Sequence, residues 1–197
     1  MIDQAEVLSV LQRYRGDAVV VPVERAELAW PQFSTRRQRD ISPTVMGMES
    51  SFALGLCLSQ PDTKVILLDG DGSLEMNLGT LVTVANKRPR NLYHFVLENG
   101  MYATTGGQPI PAQGRVSFSG MARHAGYAAA YDFDDLEDFA AQVERVLSEP
   151  GPVLVCIKIV PNPRSRKQRK QERDLVHHQH THGADTMSDL RRELEVA

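Results

Sequence analysis

Apolar and polar positions follow two periods along this chain, and the periods take turns. Short, largely continuous apolar runs at residues 18–23, 65–68, 91–97, 127–131 and 153–160 predict strands, the unbroken run 65–68 being one buried on both faces of a parallel sheet. Helical spacing lies between and around them. Residues 2–14 place Val7, Leu8, Val10 and Leu11 on one face, and residues 134–148 do the same with Leu136, Phe139, Val143, Val146 and Leu147. Residues 44–59 predict a helix rich in small residues, stopped by Gln60-Pro61-Asp62, and residues 117–125 predict another. Ser73 opens a helix whose apolar content is Leu74, Met76, Leu78, Leu81, Val82, Val84 and Ala85. Residues 24–43 lack a clear period and predict a loop with at most a short helix. Residues 101–116, with Gly106-Gly107, Pro109 and Pro111, predict a loop lying over the carboxyl edge of the sheet. Strands alternating with helices predict an α/β fold in three layers, a mainly parallel sheet with helices on both faces.

Two strand ends carry the chemistry. The run Val65-Ile66-Leu67-Leu68 leads into Asp69-Gly70-Asp71-Gly72-Ser73, and the strand at 91–97 leads into Glu98-Asn99-Gly100-Met101-Tyr102. Open α/β sheets bind ligands just outside such carboxyl ends. Gly70 and Gly72 let backbone approach a ligand closely, and a helix opened by Ser73 would present N–H groups to an anion. Asp71 beside that anion would repel a phosphate unless a cation lay between them, so the pattern predicts magnesium together with phosphate. Asn99, twenty-eight positions after Asp71, adds an amide oxygen of the kind a hard cation accepts. The bland alternative is an Asn-Gly turn with no metal.

Composition narrows the rest. A chain of 197 residues holds one domain with a sizeable core, here 1–160, plus an appended segment, 161–197. A net charge of −3 gives no push toward nucleic acid. No leader and no apolar run of about 20 residues argue for a membrane, so the expected setting is cytoplasmic. Cys57 and Cys156 sit in apolar surroundings, as reduced core cysteines do. After Val160 the character changes. Residues 164–173 carry six positive charges and one Glu, followed by His177, His178, His180 and His182. That segment predicts a solvated or partner-docking tail, with residues 187–196 forming a short helix that docks onto another subunit. Arg36, Arg37 and Arg39 form a second basic stretch, able to greet an anionic substrate or simply to be solvated.

The motif residues resemble those of thiamine diphosphate enzymes. The stretches Met46-Gly47-Met48-Glu49-Ser50-Ser51, Leu68-Asp69-Gly70-Asp71-Gly72-Ser73-Leu74-Glu75-Met76-Asn77-Leu78-Gly79 and Asn99-Gly100-Met101-Tyr102-Ala103-Thr104-Thr105-Gly106-Gly107-Gln108-Pro109 are similar to the diphosphate-binding subunit of two-subunit 2-oxoacid decarboxylases, the sulfopyruvate and phosphonopyruvate decarboxylase group. Weaker similarity continues to about residue 160. The resemblance implies the thiamine diphosphate-binding fold of the diphosphate (PP) type, with thiamine diphosphate and Mg²⁺ as cofactors. It implies Asp71, Asn99 and the Met101 carbonyl as metal ligands, and Met46, Gly47, Gly70, Gly72, Ser73 and Thr104 as further cofactor contacts. Met46 would be the apolar wedge beneath the bent cofactor, where core packing is the alternative.

The same resemblance implies a decarboxylase acting on a small 2-oxoacid, with the cofactor supplying the electron sink. It further implies a hetero-oligomer. The Glu that activates the pyrimidine belongs to a second, pyrimidine-binding domain, for which some 160 structured residues leave no room, so a partner chain is expected to bring it. The catalytic residue within this chain is not identified. Thr105 and Gln108 are candidates for facing substrate, and His124 is more simply an ordinary helix histidine. Three departures stand out: Glu98 where the family often has Asn or Asp, Thr105 where related decarboxylases carry a catalytic Glu, and residues 22–27 where the family tends to have a small polar residue near the diphosphate. Other readings are a carboligase, a 2-oxoacid oxidoreductase subunit, or a non-catalytic cofactor-binding assembly protein. An oxidoreductase would need electron acceptors, and two cysteines cannot hold an Fe–S cluster alone.

Overall fold

The computed structural model describes residues 1–42, 46–163 and 183–194, the side chains of 183–186 excepted. The basic run at 164–173 and the four histidines that follow lie outside the described residues. Strands β1 (Val19–Pro22), β2 (Val65–Gly70), β3 (Leu92–Glu98), β6 (Ala129–Phe133) and β7 (Val153–Lys158) form a five-stranded parallel sheet in the order β1-β2-β3-β7-β6. Its helices are α1 (Gln4–Tyr14), α2 (Arg25–Ala29), α3 (Glu49–Ser59), α4 (Asp71–Glu75), α5 (Gly79–Lys87), α6 (Phe118–Ala125), α7 (Leu136–Ser148) and α8 (Gly183–Glu193). No helix among the described residues is long and apolar enough to cross a membrane.

The alternation of a strand explains the three layers, because successive side chains point to opposite faces. Val20, Ile66, Phe95 and Val155 pack against α1 and α7, together with Ala26 and Trp30. Val19, Leu67, Val96 and Cys156 point the other way, onto α3, α5 and α6. The apolar runs are continuous because both faces are covered. Phe139 of α7 anchors the first core edge-on to Phe133 and Phe95, at ring separations of 5.4 and 6.4 Å.

Several boundaries differ from expectation, each for a local reason. The helix expected at 44–59 begins only at Glu49, because Gly47 turns at a φ of +80°. The helix expected from Ser73 through Ala85 starts earlier, at Asp71, and is two helices. Between them the backbone closes three-residue turns from Met76 to Ser73 and from Asn77 to Leu74, while the Asn77 side chain reaches back to donate to the Gly47 carbonyl at 2.9 Å. The strand expected at 127–131 is displaced to Ala129–Phe133, since the Tyr127 N–H still closes α6 on the Ala122 carbonyl. Asn91 is not a strand residue: its amide donates to the carbonyls of Cys57, Gln60 and Thr63, tying the end of α3 to β3. Residues 24–43 contain α2 and two short 3₁₀ turns, Trp30–Gln32 and Arg37–Arg39. The loop after β3 contains a small antiparallel ladder, β4 (Met101–Tyr102) with β5 (Gln108–Pro109). Helix α8 lies on this chain itself: Leu190 is buried in the second core and Glu193 pairs with Arg39 at 3.0 Å.

Candidate functional site: a cleft at the carboxyl edge

Strands β2 and β3 run side by side, with Gly70 opposite Leu97, so the two motif halves emerge together at one edge. Asp71 joins them. Its Oδ1 accepts from the Gly72 N–H at 2.8 Å and its Oδ2 from the Gly100 N–H at 2.6 Å. The carboxyl is 1% exposed, and burial pushes its pKa up to about 6 against the opposing pull of those two N–H groups. Asn99 turns its Oδ1 back to the Met101 N–H at 2.8 Å, an Asx turn that fixes the amide. The Met101 carbonyl accepts from the Ala103 N–H. Gly72 has no room for a side chain, since a Cβ there would sit 2.7 Å from the Tyr102 ring.

These groups line a cleft holding about 420 Å³ of open space, with Met46, Gly70, Gly72, Ser73 and Thr104 also on its wall. Met46 reaches the cleft from a turn clamped on both sides. The Gly47 N–H donates to Ser73 Oγ at 3.2 Å, and the Gly47 carbonyl accepts from Asn77. The Ser73 hydroxyl is already engaged, donating to Glu49 Oε2 at 2.9 Å. What Ser73 brings to the cleft is therefore its position in the first turn of α4 rather than a free hydroxyl. That helix is only five residues long, so its dipole contributes less than the longer helix expected from the sequence.

The donor set fits a hard cation shared with phosphate oxygens. One carboxylate, one amide oxygen and one main-chain carbonyl leave coordination positions for a ligand's own oxygens, as magnesium prefers. Among the described residues no group of three His, Cys, Asp or Glu side chains could hold a metal by itself. Glu24, Asp69 and Asp71 make the wall acidic, so an anion without a cation fits poorly.

Other expected positions lie elsewhere. Thr105 and Gln108 are exposed and face each other at 3.4 Å on the outer side of the loop, outside the cleft lining. Arg36, Arg37 and Arg39 are turned to their own chain: Arg36 pairs with Asp17, Arg37 donates to the Pro31 carbonyl, and Arg39 pairs with Glu193. His124 is exposed on α6, away from the cleft. Cys57 and Cys156 are buried free thiols, and burial pushes the Cys57 thiol up to about 12.

Four acidic residues of this region were not singled out from the sequence. Glu24 accepts from the Thr104 hydroxyl, and Asp69 accepts from His94 Nε2 at 3.0 Å inside the second core. Burial pushes Glu49 up to about 7, reinforced by the nearby Asp69 and Glu24. It does the same to Glu27, reinforced by Glu24. A lone Glu in a segment of small residues, as at Glu49, was the available signal. Carboxyls raised this way favour the folded state while protonated, and that contribution is lost as pH rises through the folded-state value. The ligand-free chain should therefore melt at a higher temperature near pH ~5 than near pH ~8, with a smaller difference in Glu49→Gln. Thermal unfolding by circular dichroism checks this, and a midpoint that rises over that window would refute it.

The fold and cleft define a cofactor-binding α/β domain that presents its ligand groups from the ends of two adjacent parallel strands. Residues 29–157, more than half of the chain, match the family described as thiamine pyrophosphate enzyme, C-terminal TPP binding domain. The chain belongs to that family. It is 42% identical over 116 residues to sulfopyruvate decarboxylase subunit beta of Methanothermobacter thermautotrophicus, covering 59% of each chain. It is 34% identical over 147 residues to phosphonopyruvate decarboxylase of Streptomyces viridochromogenes, covering 75% of this chain and 36% of that protein. The chain thus spans less than two thirds of the length of these curated relatives. A solved thiamine diphosphate-dependent 4-hydroxybenzoylformate decarboxylase from Rhodococcus jostii shares the fold at a TM-score of 0.67 and 22% identity, over 82% of this chain and 33% of that one.

Proposed function

We propose that this chain is the diphosphate- and magnesium-binding subunit of a thiamine diphosphate-dependent 2-oxoacid decarboxylase, working with a separate pyrimidine-binding subunit. The observation that carries the reading is Asp71, whose buried carboxylate ties the Gly72 and Gly100 turns together at the mouth of the cleft. In this reading Asp71, the Asn99 amide and the Met101 carbonyl hold Mg²⁺. Gly70, Gly72, Ser73 and Thr104 line the diphosphate, and Met46 with Gly47 supports the cofactor from the clamped turn. When bound, thiamine diphosphate supplies an electron sink for loss of carbon dioxide from a 2-oxoacid. The chain's own part is to anchor and orient, and the residues after β4 cover the anchored end. The two-subunit arrangement is supported by the relative named subunit beta, and an anionic substrate of the sulfopyruvate or phosphonopyruvate kind by the names of both relatives.

The test is purification of the chain with thiamine diphosphate and magnesium present, followed by identification of co-purifying proteins. The complex is then assayed for carbon dioxide release from sulfopyruvate and phosphonopyruvate. A stoichiometric partner and magnesium-dependent release from either substrate are expected. A chain that binds the cofactor but recovers no partner and releases nothing from either compound would leave a cofactor-binding protein without this activity.

A further inference from the structure

Glu24 sits where β1 gives way to α2, at the same sheet edge as Asp71, with a backbone φ of 54° and ψ of −114°. A non-glycine residue in such a conformation is strained and persists only where its surroundings over-determine it. Here the neighbouring backbone is pinned on both sides: the Val23 N–H donates to the Leu68 carbonyl, and the Ala26 N–H closes on the Val23 carbonyl. The Glu24 carboxyl then lies in the cleft wall, where Thr104 donates its hydroxyl to Oε2. That contact takes one oxygen and leaves the other for a ligand.

The charges facing Glu24 are mostly of its own sign. Asp69 and Asp71 face it from β2 and α4, Glu27 from α2 and Glu49 from α3, while α1 contributes only the neutral Gln4. Arg25 is the one cationic side chain among the described residues lining the cleft, and its Nη1 donates to the Asn162 carbonyl. A divalent cation held by Asp71 offsets only part of a diphosphate's charge. An ionised Glu24 would repel the remainder. A neutral Glu24 would instead donate a short, charge-assisted O–H···O⁻ bond.

Resting on the function proposed above, we propose that Glu24 binds the cofactor's diphosphate as the neutral acid, so that cofactor capture takes up a proton from solution. Before any ligand arrives, burial already holds this carboxyl above its ordinary value, with Asp69 adding to the effect and Thr104 opposing it. The proton comes from the buffer and resides on the oxygen that Thr104 does not use.

Calorimetric titration of the full chain with thiamine diphosphate and Mg²⁺, in two buffers of equal pH and different ionisation enthalpy, counts that proton. The pH is set well above the value of about 6 to which burial pushes Asp71, so that metal binding releases little from that group. The wild type is expected to take up close to one proton per chain, and its affinity to fall about tenfold per pH unit once the free carboxyl is ionised. In Glu24→Gln the uptake disappears and the affinity becomes nearly independent of pH. Magnesium-dependent binding with no uptake in the wild type overturns the role of Glu24 and leaves the cofactor site standing, whether or not the variant folds. Equal uptake in wild type and a folded Glu24→Gln assigns the proton to another group and also overturns it. Absence of any magnesium-dependent heat overturns the cofactor reading, and the Glu24 role with it.

Discussion

Asp71→Ala is expected to lower magnesium-dependent affinity for thiamine diphosphate at least about 100-fold, a loss of roughly 3 kcal/mol or more. The carboxylate is the only charged group in the proposed donor set, so the amide of Asn99 and the Met101 carbonyl would be left to hold a divalent cation without neutralising it. The fold should survive. Removing the side chain leaves the Gly72 and Gly100 N–H groups without their acceptor, a cost of about 1–3 kcal/mol each. It also removes a buried charge, which offsets part of that cost. Asp71→Asn separates the two contributions, keeping the shape and deleting the charge. Calorimetry with and without magnesium reads the affinity, and a variant within a few-fold of wild type would exclude Asp71 as a metal ligand.

The largest loss of stability is expected from His94→Ala. His94 and Asp69 are both fully buried, and the imidazole Nε2 lies 3.0 Å from the Asp69 carboxylate. Taking away the imidazole leaves the buried Asp69 Oδ2 without its partner and opens a cavity beside β2, changes that together cost about 3–5 kcal/mol. For a chain of this size the melting midpoint should fall on the order of ten degrees. Replacing both residues by alanine should cost less than the sum of the single changes, because neither partner is then stranded. Denaturant unfolding of the two single variants and the double variant measures the coupling, and strictly additive effects would show that the contact is dispensable. The pair also matters for the cleft. Asp69 accepts from the Gly70 N–H, one residue before Asp71, so His94 supports the turn that carries the proposed metal ligand from behind the sheet.

The sheet and the two motif turns were legible for the same reason. Residues 65–68 are apolar throughout and 92–97 are apolar but for His94, because both faces of their strands are covered, and the Gly-Asp-Gly and Asn-Gly turns punctuate them at the edge where ligands bind. Contacts between distant residues were not legible. The break between α4 and α5 is accompanied by a bond from Asn77 to Gly47, thirty positions back, and no local period records it. The placement of Thr105 and Gln108 on the outer side of their loop follows from the β4–β5 ladder, whose two-residue strands are too short to leave an alternating pattern. Glu24, Glu49 and Asp69 were overlooked because carboxylates normally signal solvent. Their burial depends on which layer covers them, and the Asp69 partner, His94, comes from the neighbouring strand. For Arg36, Arg37 and Arg39 the sequence left a substrate-facing and a solvated role open, because their partners Asp17, Glu193 and main-chain carbonyls lie elsewhere in the chain.

Strand β7 is the last of the five to leave the ribosome, yet it lies inside the sheet, between β3 and β6. Until residues 153–158 emerge, β3 and β6 have no strand to join them, and each keeps a row of unpaired main-chain groups beside apolar side chains. Such open edges pair readily with other chains. Nascent chains arrested before Val153 should therefore aggregate or recruit chaperones, while chains arrested with β7 fully exposed from the exit tunnel should not.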